Sequence, residues 1–415
     1  MNLPLIKNVN LFLDDKPSVF ALRSKAKNAL SSIGFPTTKT EAWKYTNIKE
    51  LISTDLNINT DEASCSEECS CHHHKGDSAF IEIHFCNGKL HIEEYNTPDG
   101  ITLTPLPMAL FDDDYKKYIF NSFDLEKHPF AALNGTYLEQ GICIHVEKNI
   151  SLNKPILIKY SQKDCANLQL NIHNLIILEK GAKLEFIEDF SSTSKNKYLT
   201  NIVNEIYLKA DSNLTHYKTQ KESTNSFHIA LNAVKQQENS SYLQYYLSDG
   251  AKICRQETLV NLNQSEAKAE IYSAYIAKKD CTTDITTNIN HLMENTNSNQ
   301  YAKGILEEDS TATFQGKIHI APNAVKTSGH QLHKALYLND NATLNCKPEL
   351  EIYADDVKCS HGASCGEIDK EQLFYLISRG IEKQSALKML TDAHLEELFS
   401  FIPNPKIKEL FFTLE

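Results

Sequence analysis

No segment of the 415-residue chain approaches the roughly 18 consecutive apolar residues that a membrane-spanning helix needs. The N-terminal stretch Met1–Phe20 lacks a basic region followed by a clean apolar core, and it carries Asp14 and Asp15. Neither a secretory leader nor an Arg-rich transit peptide is therefore expected, and a cytoplasmic protein is. Basic charge is also in short supply: 42 Lys and Arg stand against 54 Asp and Glu, a net −12. That balance argues against nucleic acid as the main partner. Phosphate-binding signatures are missing, both G-x-x-x-x-G-K-[ST] and a G-x-G-x-x-G after a strand. No nucleotide site of the chain's own is expected, and no serine nucleophile elbow. Tryptophan occurs once, at Trp43.

Cysteine, by contrast, is plentiful. Eleven is an odd count, and without an export signal it reads as reduced thiols rather than a disulfide framework. Cys86, Cys143, Cys254 and Cys346 sit in apolar or alternating runs, where a buried, inert thiol is expected.

Three zones follow one another. Residues 16–60 read as helical: KPSVFALRSKAKNALSSIG places Phe20, Leu22, Ala26 and Leu30 at three- and four-residue spacing and ends at Gly34 and Pro36. TKTEAWKYTNIKELI suits another short helix. From about residue 78 to 356 helical periodicity nearly vanishes, and alternating β-branched and aromatic runs take over, such as FIEIHF, QLNIHNLIIL and AEIYSAYI. A turn pattern recurs in LEKGAKL (Leu178–Leu184) and LKADSNL (Leu208–Leu214), and with variation from Leu262, Leu306 and Leu338. Self-similarity at about 30 residues in an all-strand zone points to a stacked solenoid; a large sandwich or barrel is the alternative. The third zone, Ile368–Glu415, returns to helix. Asp369 is the expected N-cap, with Leu373, Leu376 and Ile377 on one face and Gly380 just past the end. The domain reading is thus an N-terminal helical region with a Cys/His-rich linker (1–77), a β core (78–367) and a C-terminal helical domain (368–415). The C-terminal apolar residues Leu373, Phe374, Leu376, Leu395, Leu398 and Phe399 either pack among themselves and on the last β coil or form a docking surface for another protein.

Two clusters can carry chemistry. CSHGASC holds Cys359, His361 and Cys365 on what reads as a short, bendable connection, so all three can converge on one soft cation or cluster. They leave its coordination incomplete, and a further ligand would come from elsewhere. The alternative is that His361 orders a turn and the thiols are core. The tract Cys65, Cys69, Cys71, His72, His73 and His74 is denser still. It is either a polar linker with incidental metal affinity or an ordered accessory metal site. His330 and His333 are offset by three on an apparent strand and should face opposite ways, as should the adjacent Asp355 and Asp356.

EIYADDVKCSHGAS-x-GEID followed by LFYLISRGI resembles the C-terminal signature of the SufB/SufD family of iron–sulfur cluster assembly scaffolds, on its SufD side. FPTTKTEAWKYTNI is similar to that family's N-terminal P-[ST]-x-x-x-E-x-W motif, so the resemblance spans nearly the whole chain. Ser364 and Cys365 depart from the pattern, and the Cys65–His74 tract matches none of it. The resemblance implies a mainly β fold, with a right-handed parallel β-helix core flanked by N- and C-terminal helical regions. It implies a non-enzymatic scaffold. Pairing with SufB through the core and binding the ATPase SufC through the C-terminal helices are implied too; whether the chain pairs with itself when alone is left open, and an exposed end or edge of a β-helix would favour it. A nascent, transient Fe–S cluster at the SufB interface is implied, with His361 as its principal ligand, Cys359 beside it and Cys365 incidental. Iron acquisition is part of that expectation. A flavin accompanies some such complexes, and no flavin site is identified here.

Overall fold

The computed structural model describes residues 5–6, 17–58, 79–91, 98–163 and 167–412. Its centre is a β-solenoid. From Ile142 onward successive strands alternate between two sheets, each ten-stranded among the described residues, so that strands one coil apart pair in parallel. A coil takes from 26 residues, where His228 lies beside Cys254, to 32, where Ala312 lies beside Leu344. In-register parallel stacking of this kind is a solenoid, not a sandwich.

The recurring turn pattern marks the coil corners. There the chain must swing between sheets within a few residues, and one residue takes a left-handed φ: Gly181 (+72), Asp211 (+62), Asn239 (+53), Asn295 (+58) and Asp309 (+57). Gly, Asn and Asp tolerate that region best, so the repeat is one of backbone geometry. Between corners, strict alternation sends every second side chain inward. Ile144, Ile176, Ile206, Val234, Val260 and Ile289 stack coil upon coil in one aliphatic row. Beside it runs a polar ladder, in which Asn174 donates to Asn204 (2.9 Å) and Asn204 to Asn232 (2.8 Å). Glu188 is fully buried there. Burial pushes its pKa up, but the His216 hydrogen bond (2.9 Å) and the nearby Lys218 charge more than offset this and hold it below the usual carboxylate range.

Among the described residues eight α-helices flank the solenoid: α1 (Pro17–Ile33), α2 (Lys49–Ser53), α3 (Leu106–Ala109), α4 (Asp113–Lys116), α5 (Pro129–Tyr137), α6 (Lys370–Ser378), α7 (Lys383–Phe399) and α8 (Pro405–Phe412). Three of them, α3 to α5, fall in the zone that reads as free of helix. α5 escapes periodicity because all nine of its residues are buried, which leaves no polar face to set a 3.6-residue rhythm. The buried face of α1 is Val19, Arg23, Ala26 and Leu30, while Phe20 points to solvent. The segment around Trp43 forms only a 3-10 turn, Glu41–Trp43. Asp355 and Asp356 lie in a bend between strands, not on a strand.

The N-terminal helices cover the outer face of the first sheet. Glu205 welds them on, accepting from the backbone N–H of Phe120 (2.6 Å), Asn121 (3.3 Å) and Ser122 (3.2 Å) and from the Ser122 hydroxyl (2.6 Å). α7 and α8 cover the outer face of the second sheet through Leu395, Leu398, Phe399, Ile407 and Phe411. No helix among the described residues is long and apolar enough to cross a membrane.

Candidate functional site at the open end of the solenoid

The two ends of the solenoid differ. The first coils are closed off by antiparallel strands, Lys89–His91 on Ile81–Cys86 and Ile101–Pro105 on Ile142–Val146. The last coil, Thr343–Ile352 and Val357–Glu367, has no such cap. Each of these strands is terminal in its sheet, and among the described residues neither has a partner on its far side. Two rows of backbone N–H and C=O groups are thus presented for pairing.

CSHGASC lies on this last coil, and it is not a bent connection. Val357–Glu367 is a continuous strand in register with Thr327–Tyr337, with Cys359 beside Gly329, His361 beside Gln331, Ala363 beside His333 and Cys365 beside Ala335. Gly329, Gln331, His333 and Ala335 are interior residues. Cys359, His361 and Cys365 therefore share the interior face, at the level where no further coil covers them. His361 and Cys365 are exposed, and Cys359 is half-buried against the small apolar cluster of Ile318, Ile320, Ala324 and Ala354. Burial pushes the Cys359 thiol up, and a backbone hydrogen bond from Gly329 partly reverses this.

The extended backbone corrects the three-ligand expectation. At about 3.3 Å per residue, Cys359 and His361 are roughly 7 Å apart along the strand, and His361 and Cys365 roughly 13 Å. The first pair can flank one cluster; Cys365 cannot join it. Among the described residues, no three His, Cys, Asp or Glu side chains converge as a ready-made metal site. Gly362-Ala-Ser364-Cys-Gly366 does spell G-x-S-x-G, yet Ser364 sits within the strand and neither glycine takes a positive φ. No sharp strand-to-helix corner presents it, so no nucleophile elbow exists there.

His330 and His333 do face opposite ways. His330 lies outside, between Ser328 (3.0 Å) and Ser360 (2.8 Å), and His333 is fully buried. Cys86, Cys143 and Cys254 are buried as expected, whereas Cys346 is half-buried at the open end. The tract Cys65, Cys69, Cys71, His72, His73 and His74 lies outside the described residues.

The strand leads directly into α6. Asp369 caps it, accepting from the N–H of Glu371 (2.8 Å) and Gln372 (3.2 Å), and Gly380 ends it at φ +87. No residue of α6 is buried. Leu373 and Leu376 are half-covered, while Phe374 is 72% exposed and Tyr375 56%. The expected docking set therefore divides. Leu395, Leu398 and Phe399 are at most 2% exposed in the contact with the solenoid and are not available to a partner; the α6 residues are. α7 is further tied down by Lys303, whose ammonium donates to the His394 carbonyl (2.7 Å) and pairs with Glu397.

One cluster had no signal in the sequence. Arg255 is buried between Asp284, with which it forms an ion pair, and the Trp43 ring, 4.2 Å from the guanidinium. Thr46 also donates to Asp284. The N-terminal tryptophan motif is thereby locked to the middle of the solenoid.

Comparison with known proteins agrees with this architecture. Residues 160–394 match the SufBD core domain of the SUF system for FeS cluster assembly, and residues 7–158 match the SufBD N-terminal region. The chain is 30% identical to the iron-sulfur cluster assembly protein SufD of Escherichia coli, over 91% of this chain and 87% of that one. It is 29% identical to an iron-sulfur cluster assembly SufBD family protein of Synechocystis, over 92% and 87%. A chloroplastic protein of Arabidopsis thaliana is 28% identical, over 94% and 83%.

Proposed function

The chain belongs to the SufBD family of iron–sulfur cluster assembly proteins, and on that premise we propose that it is a non-enzymatic, cytoplasmic scaffold subunit. It pairs with a SufB partner and the ATPase SufC to build and release nascent clusters and to support iron acquisition. The observation that carries this reading is the open last coil. It offers two unpaired strand edges and, between them, Cys359 and His361 on an uncovered interior face. A second solenoid adding its strands to these edges would close a chamber over both side chains. A cluster held there by one imidazole, one thiol and ligands from the partner is shared between two bodies. It is then easier to release than one held by four thiolates of a single rigid site.

Exposed α6 is the proposed seat of the ATPase. It follows the His361 strand after a two-residue step, so movement of the helical region is transmitted to the interface strand. A second reading, an adaptor that recruits the ATPase without ligating the cluster, is favoured by the lack of three converging donors among the described residues. Anaerobic co-purification with SufB and SufC partners separates the two. His361→Ala should leave the complex intact and remove its iron–sulfur absorption. Wild-type cluster content in that variant would leave the adaptor reading standing.

A further inference from the structure

A second pair of soft donors joins the two sheets at the mouth of the solenoid: His333, beside Ala363 on the strand next to that of His361, and Cys346 on the facing sheet. The Cys346 sulfur is 3.6 Å from Nδ1 of His333. A tetrahedral cation about 2.3 Å from sulfur and about 2.0 Å from nitrogen would set those two atoms about 3.5 Å apart. The imidazole is already oriented for this. Its Nε2 is 2.9 Å from the Tyr275 hydroxyl, and the ring is stacked on Phe314 at 4.8 Å. With Nε2–H donating to the tyrosine oxygen, the Nδ1 lone pair points at Cys346, an outer hydrogen bond of the kind that fixes metal-bound histidines.

A third donor stands at the rim. Cys365 is exposed and lies one strand spacing, about 4.8 Å, from Ala335, which belongs to the apolar cluster that Cys346 packs against. Both thiols project from the uncovered interior face of the last coil, so an ion enters from the open end. We propose that Cys346, His333 and Cys365 form a metal site for a thiophilic divalent cation of the zinc class, separate from Cys359 and His361. The three do not already converge; rotation of the exposed Cys365 side chain brings in the third arm and leaves the fourth position to solvent. On binding, each thiol releases its proton to water and the cation takes the thiolate. The chemistry of the pair agrees. Burial holds His333 down at about 4, which keeps it a neutral ligand, and burial followed by neighbouring Cys365 pushes the Cys346 thiol up to about 11, so it stays protonated until a cation displaces the proton.

The test is a titration with Co2+ alone, on the reduced full-length chain carrying Cys65→Ser, Cys69→Ser, Cys71→Ser and Cys359→Ser. Those changes remove the thiols of the Cys65–His74 tract and of neighbouring Cys359, and Cys165→Ser is added to exclude the remaining thiol outside the described residues. One equivalent should bind with a thiolate-to-cobalt charge-transfer band. Adding Cys346→Ser should abolish the band, and adding Cys365→Ser should weaken binding at least tenfold without moving the melting temperature. Absence of the band in the starting variant overturns the proposal, as does unchanged affinity in either serine variant. Because Cys365 is exposed, its variant keeps the test decisive if Cys346→Ser fails to fold.

Discussion

Asp284→Leu is the most informative perturbation of the fold. In the native chain Asp284 is fully buried; it pairs with Arg255, whose side chain is 1% exposed, and accepts from Thr46 and Thr286. Removing the carboxylate strands a guanidinium in the interior. Removing one partner of such a buried pair costs about 3–5 kcal/mol, because the remaining charge is neither hydrated nor neutralised. Two contacts survive to soften the loss, Glu257 at 3.7 Å and the Trp43 ring, so a value near the lower limit, about 3 kcal/mol, is expected. The assay is urea unfolding, with hydrogen exchange over residues 41–58 to localise the effect. The double variant Arg255→Met with Asp284→Leu removes both charges and should recover most of the loss, since an apolar pair of similar volume replaces a desolvated one. If the single variant costs under about 1 kcal/mol, or the double is as unstable as the single, the buried pair does not lock Trp43 to the solenoid.

Three further outcomes are expected. His291 is buried between Thr296 and Ser298, 2.8 Å from each hydroxyl, and burial holds it at about 4. Its folded value lies below the ordinary 6.5, so the unfolded chain binds a proton first as pH falls. Stability is complete above about pH 6.5 and is lost toward pH 4, by up to about 3 kcal/mol; His291→Asn should flatten that slope, and identical slopes in urea midpoints would refute it. Phe374→Asp with Tyr375→Asp on exposed α6 should change stability by less than about 0.5 kcal/mol yet weaken SufC binding at least tenfold, and calorimetry showing unchanged affinity would move the ATPase elsewhere. Leu398→Ala, at a position 1% exposed, should cost about 2–5 kcal/mol and raise hydrogen exchange across α7 and α8 while leaving the strand Val357–Glu367 protected; uniform loss of protection would mean that the C-terminal helices and the solenoid unfold as one unit.

Local information is enough for the strands, the coil corners and the capping of α6. Alternation at every second residue and a left-handed residue at each corner are properties of a few neighbouring side chains, and Asp369 and Gly380 act within one helical turn. The family motifs around Trp43 and His361 are legible for the same reason. Local information fails for α5, where complete burial erases the polar face. It also fails for CSHGASC, whose glycine and two serines read as a bend until the hydrogen bonds of Thr327–Tyr337 draw them straight.

That pairing decides the site. It turns Cys359, His361 and Cys365 to one face and, through the length of an extended backbone, separates Cys365 from the other two. Cys346 meets His333, and Arg255 meets Asp284, only because adjacent coils stack, and Trp43 reaches Arg255 only because the N-terminal region folds back over the first sheet. Leu398 and Phe374 are alike in composition, and it is their position relative to the second sheet that buries one and exposes the other. Contacts between residues distant along the chain depend on packing and register, which no short stretch of sequence encodes.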